Sequence, residues 1–109
     1  SKEDYQAMVF DIAKGAQIDR QNLIQKLVEL QYKRNDIDFS RGSFRVRGDT
    51  VELFPAHYED CAWRFSLFGD ELESIVEFDP LTGEKFATLE AVRIYANSHY
   101  VTPGPTMQQ

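Results

Sequence analysis

Arg45 and Arg47, two residues apart, are the side chains of this sequence best suited to chemistry, and that chemistry is recognition rather than reaction. They lie in the run Arg41-Gly42-Ser43-Phe44-Arg45-Val46-Arg47-Gly48-Asp49-Thr50-Val51-Glu52-Leu53-Phe54-Pro55, which reads as two short strands about a turn at Gly48-Asp49. Side chains alternate across a strand, so Phe44 and Val46 share one face and Arg45 and Arg47 the other. A guanidinium is a flat, permanently charged fork that meets a carboxylate or phosphate in two parallel hydrogen bonds. Two of them on one strand face make a stiff positive edge; the competing reading is a solvated face with local ion pairs. Arg64 is a third candidate: in its strand Cys61, Trp63, Phe65 and Leu67 point one way and Ala62, Arg64 and Ser66 the other. Arg34, preceded by Lys33, falls in the last turn of an expected helix, where positive charge complements the dipole.

Reactive constellations are harder to find. None of the six glycines opens a Gly-x-x-x-x-Gly-Lys-Ser/Thr phosphate loop. One cysteine and two distant histidines do not make a zinc set. Cys61, beside Trp63 on the apolar side of its strand, reads as a small core residue. His57 and His99 read as surface or packing residues. Glu71, Glu73 and Glu77 share a strand face and could form an acid/base pair, but Arg64 on the preceding strand could neutralise some of them. No set of residues meets the requirements of a reaction class.

Composition narrows the partners. The net charge of −6 argues against general affinity for nucleic acid or anionic membrane. The charge is uneven: between Tyr32 and Gly48 five basic residues face two acids, leaving seven basic against sixteen acidic in the rest. An acidic body with one basic segment fits a specific acidic partner better than a polyanion. Phe44 faces away from Arg45 and Arg47, so that ring and those cations do not form one base-stacking platform, which again favours a protein partner. The single cysteine fits a reducing cytoplasm, and no apolar run reaches the roughly 20 residues needed to span a bilayer.

The elements that must position these residues follow from periodicity. Ser1 to about Met8 is expected to form a short helix with capping-box spacing, and Val9 to Ala13 a strand. Leu23, Ile24, Leu27, Val28 and Leu30 recur at helical spacing, predicting a helix from Arg20 to about Lys33 with Asp19 as its cap. After Gly69-Asp70, a strand is expected with Leu72, Ser74, Val76 and Phe78 inward and Glu71, Glu73, Ile75 and Glu77 outward. Two more strands are expected near Lys85–Leu89 and Ala91–Ala96. The expected fold is α+β, an antiparallel β-sheet with helices packed on one face.

Five stretches in order carry a resemblance: Leu30-Gln31-Tyr32-Lys33-Arg34-Asn35-Asp36; Arg41 to Asp49; Phe54-Pro55-Ala56; Asp79-Pro80-Leu81-Thr82-Gly83; and Ser98-His99-Tyr100-Val101-Thr102-Pro103. Together they closely resemble the UvrB interaction domain family, from the damage-verifying, helicase-like subunit of bacterial nucleotide excision repair. A related domain occurs in the transcription-repair coupling factor, but Tyr32 to Asp36 and His99 to Pro103 are similar to the UvrB form. The resemblance implies a non-catalytic domain, residues 1–102, that docks UvrA, with residues 103–109 leading back toward a motor domain. It implies that ATP and Mg, and contacts with DNA and UvrC, belong to the full-length protein, with no cofactor or metal here and no membrane. It also implies that Arg34, Arg45, Arg47 and Arg64 meet acidic surface on UvrA. One departure is Ser66, where many relatives carry an acid. The direct alternative is DNA contact through the same patch. On the docking reading, Arg45→Glu with Arg47→Glu is expected to weaken UvrA binding by a few kcal/mol with little change in thermal stability.

Overall fold

The computed structural model describes residues 9–57 and 60–97. Its elements are β1 (Val9–Ala13), α1 (Arg20–Glu29), β2 (Lys33–Arg34), β3 (Ser43–Arg47), β4 (Thr50–Leu53), β5 (Ala62–Phe68), β6 (Glu71–Phe78), β7 (Lys85–Leu89) and β8 (Ala91–Tyr95). Strands β2 to β7 form one six-stranded sheet in sequence order, and β1 pairs with β8 in a separate antiparallel ribbon. The fold is therefore mostly β, with antiparallel pairing as expected and one short helix among the described residues. The helix expected at Ser1–Met8, the linker residues 103–109 and His99 lie outside the described residues.

One buried cluster explains the layout. Leu23 and Leu27 of α1 join Phe44, Val51, Leu53, Trp63, Phe65, Leu67, Leu72 and Ile75 of the sheet and Ile12 and Ile94 of the ribbon in one buried cluster. Each fully buried side chain of this size contributes about 1.5–3 kcal/mol through removal from water. Asp19 caps α1 by accepting the Asn22 N–H at 2.8 Å.

Three expectations are corrected. The helix ends at Glu29 instead of Lys33. Gln31 takes a left-handed φ of 74°, Tyr32 drops into the core, and Lys33-Arg34 is drawn alongside β3. That pairing is parallel, with Asn35 N–H donating to the Phe44 carbonyl at 2.8 Å, so the sheet is not purely antiparallel. In β6 the facing of side chains changes part-way. The register shifts against β5 between Ser66 and Leu67, so that Ser66 meets Ser74 but Leu67 meets Leu72. The extra residue, Glu73, lets Leu72 and Ile75 both face the core, so Ile75 is fully buried although alternation placed it outside.

Candidate functional site

The geometry of the arginines begins with a two-residue turn. Gly48, at φ 59°, and Asp49 close the β3–β4 hairpin so tightly that Arg47 must oppose Thr50, Val46 Val51, and Arg45 Glu52. Pairing of β4 with β5 then sets Glu52 opposite Arg64. Arg45, Glu52 and Arg64 consequently stand in one row on the sheet face turned away from Phe44 and Phe65.

Glu52 is buried, 5% exposed, and both oxygens are occupied. Arg45 Nε donates to Oε1 at 2.5 Å and Arg64 Nε donates to Oε2 at 2.7 Å. Burial alone pushes the Glu52 pKa up. The hydrogen bonds from Arg64 and Arg45, with their charges, outweigh it and hold the carboxyl below its ordinary value. Arg64 is thus paired with β4, not with the β6 glutamates as alternation allowed.

Aromatic rings back the same groups. The Arg45 guanidinium lies 4.2 Å from the Phe39 ring centroid, that of Arg64 4.4 Å from Phe78, and that of Arg41 5.5 Å from Phe54. Phe39 stacks on Phe78 at 6.4 Å and tilts against Phe54 at 5.7 Å. Guanidinium over a ring face adds roughly 0.5–2 kcal/mol depending on desolvation. Each central arginine is therefore fixed twice, in plane by Glu52 and from beneath by a phenylalanine. Among the described residues, the terminal nitrogens of Arg45 and Arg64 make no hydrogen bond.

Arg47 occupies the adjoining row with Thr50, Ser66 and Ser74, a line of small hydroxyls. Ser66 therefore bears on the surroundings of Arg47, and the Arg64–Glu52 pair does not depend on it. Arg34 is opposite Phe44 in the register, which puts it at the sheet edge and off the row of Arg45 and Arg64. Its Nε and Nη2 hold the Asp36 carboxylate at 3.2 and 3.0 Å. Asp36 also accepts the Val46 N–H at 3.1 Å, covering the edge of β3 beyond the two residues of β2. Those bonds, with the charges of Arg34 and Arg47, keep the Asp36 pKa low.

The structure brings Arg45 and Arg64 together through Glu52, sets Arg47 beside them and leaves Arg34 at the rim. Sequence reading missed Glu52, Phe39, Phe54 and Phe78. For Glu52 the signal was available, because a two-residue turn at Gly48-Asp49 fixes position 45 against 52. The three rings carried no such signal, since Phe39 and Phe54 lie in connections and the bulge disguised the facing of β6. The reasoning that kept aromatics off the arginine face holds for Phe44 and fails for these rings. Phe54 and Phe78 are nonetheless 9% and 1% exposed, too covered to receive a base.

The other candidates separate. Glu77 accepts from the Cys61 thiol at 2.8 Å and from Trp63 Nε1 at 3.4 Å, while Glu71 and Glu73 remain exposed, so the three carboxylates do not form an acid/base set. Burial, then the Glu77 carboxylate, pushes the Cys61 thiol up to about 12, which leaves it protonated and a poor nucleophile at neutral pH. His57 hydrogen-bonds the Ala96 carbonyl at 3.2 Å and meets the Tyr95 ring edge-on. No helix among the described residues is long and apolar enough to cross a membrane.

Residues 10–100 match the family described as the UvrB interaction domain. The chain belongs to that family. A UvrB interaction domain is a non-catalytic interaction module, and membership suggests a UvrA-binding role in nucleotide excision repair.

Proposed function

We propose that this domain docks UvrA through the sheet face that carries Arg45, Arg47 and Arg64, with Arg34 extending it at the rim. The observation that carries the reading is the braced pair: two guanidinium groups whose terminal nitrogens make no hydrogen bond among the described residues, held over aromatic rings in a body that is otherwise acidic. Fixed donors lose little side-chain entropy on binding, and interfaces concentrate their energy in such arginines. On this reading the domain performs no reaction, and ATP, Mg, DNA and UvrC engage other parts of the full-length protein.

The brace alters the choice of test. Arg45→Glu sets a second carboxylate against buried Glu52, so loss of stability accompanies loss of binding, contrary to the expectation from sequence. Arg47 is exposed and, among the described residues, makes no ion pair with a buried carboxylate. Calorimetric titration of the chain into UvrA is expected to show binding, weakened tenfold or more by Arg47→Glu with an unchanged melting temperature. Titration with a short DNA duplex serves as the contrast. Equal affinity for UvrA in native and Arg47→Glu chains, or binding to the duplex alone, overturns the reading.

A further inference from the structure

We propose that Glu52 is the positioning residue of this face, and that the Arg45–Glu52–Arg64 row is a receptor for two carboxylates of the partner, one at each guanidinium. The inference rests on the docking reading and specifies its chemistry. Glu52 engages only the Nε edge of each arginine, at 2.5 and 2.7 Å. The phenylalanines occupy one flat side of each guanidinium, at 4.2 and 4.4 Å. What remains is the terminal pair of nitrogens, which offer one N–H each as the end-on fork for a carboxylate. The side chains of Arg45 and Arg64 are 19% and 34% exposed, so these ends reach solvent while the Glu52 side chain, at 7%, does not. Strands β3 and β5 lie two spacings apart at the backbone, but both side chains converge on the one Glu52 carboxylate, so the two forks stand side by side. A partner element that shows two neighbouring acidic side chains satisfies both. A continuous polyanion meets the repulsion of the acidic body.

Glu52 could also be read as mere neutralisation of the arginines, and the two roles differ in sign. Glu52→Gln raises the net charge by one and so strengthens attraction to an acidic partner if only charge matters. If positioning matters it weakens binding, because an amide can accept from one Nε–H but turns its own N–H groups toward the other. Glu52→Asp keeps the charge and shortens the reach, so it tests positioning at constant charge and stands in where Glu52→Gln does not fold.

The experiment pairs UvrA titrations of the native, Glu52→Gln and Glu52→Asp chains with proton–nitrogen spectra of the arginine Nε–H groups and with melting curves. The expected result is a fall in affinity of tenfold or more in each folded variant, together with displacement of the Arg45 and Arg64 Nε–H signals. Unchanged or tighter binding by either folded variant overturns the proposal, as do Nε–H signals that ignore the substitution. If the native chain fails to bind UvrA, the docking reading falls and the receptor with it. The Nε–H signals of the free chain then report separately whether Glu52 braces the pair.

Discussion

A carboxylate shut away between two guanidinium groups gives up hydration for hydrogen bonds, and the balance fixes both its pKa and its effect on stability. For Glu52 the balance favours the charged form, so its folded pKa lies below the unfolded value of about 4.3. Linkage then gives the sign: the stabilisation is complete above the unfolded value and is lost as pH falls through the folded one. The melting temperature of the native chain is expected to be flat near neutrality and to drop below about pH 4.5. Glu52→Gln should begin lower at neutral pH and lose less over the same interval. Asp36 and Asp11, both lowered by arginine partners, act in the same direction, but they are exposed and present in both chains. Parallel melting curves for the two proteins would remove Glu52 from this account.

Among elements, the junction between β8 and the starts of β2 and β3 holds the arginine strands in place. The Asn97 side chain donates to the Gln31 carbonyl at 3.1 Å and the Gly42 carbonyl at 3.3 Å, and its backbone N–H donates to Leu30 at 2.7 Å. Tyr32 ties the same region by donating to the Tyr95 carbonyl at 2.9 Å and accepting from Ala56 N–H at 3.1 Å. Gly42 has φ 90°, and a methyl there would sit 2.9 Å from the Asn97 amide nitrogen. Asn97→Ala is therefore expected to cost about 1–2 kcal/mol in urea denaturation, and Gly42→Ala at least as much. Gly48→Asn, in an open left-handed turn, should cost under about 1 kcal/mol. Equal losses at both glycines would contradict the role assigned to Asn97. Elements whose signal is local were legible in the sequence: the Gly48-Asp49 turn, the alternation of β5, and the spans of β1, β7 and β8. Those decided by tertiary pairing were not. The helix looked longer because Tyr32 and Lys33 suit a helical end, and only alignment with β3 turns them into a strand. The facing of β6 was lost to one bulged residue. Of the site, each arginine was visible as a surplus of fixed positive charge, while Glu52 read as the ordinary polar position between Val51 and Leu53.

Across the whole molecule, a net charge of −6 surrounds an arginine-bearing face, and the two signs act at different ranges. At physiological salt the field of an exposed charge fades over about 8 Å, so the acidic body discourages distant polyanions while the arginines govern close approach. That division predicts a kinetic signature for the proposed docking. The association rate with UvrA should fall several-fold as salt rises from about 50 to 500 mM, whereas the dissociation rate, set by fixed short-range contacts, should change less. Arg47→Glu should slow association and flatten its salt dependence. Glu52→Gln, which adds positive charge while releasing the forks, should leave association at least as fast and act on dissociation. Stopped-flow measurements of the three chains separate these effects. An association rate insensitive to salt in all of them would mean that shape, and not charge, selects the partner. A mixed outcome, with steering intact and the two substitutions alike in dissociation, would place long-range attraction on this face and the short-range contacts elsewhere.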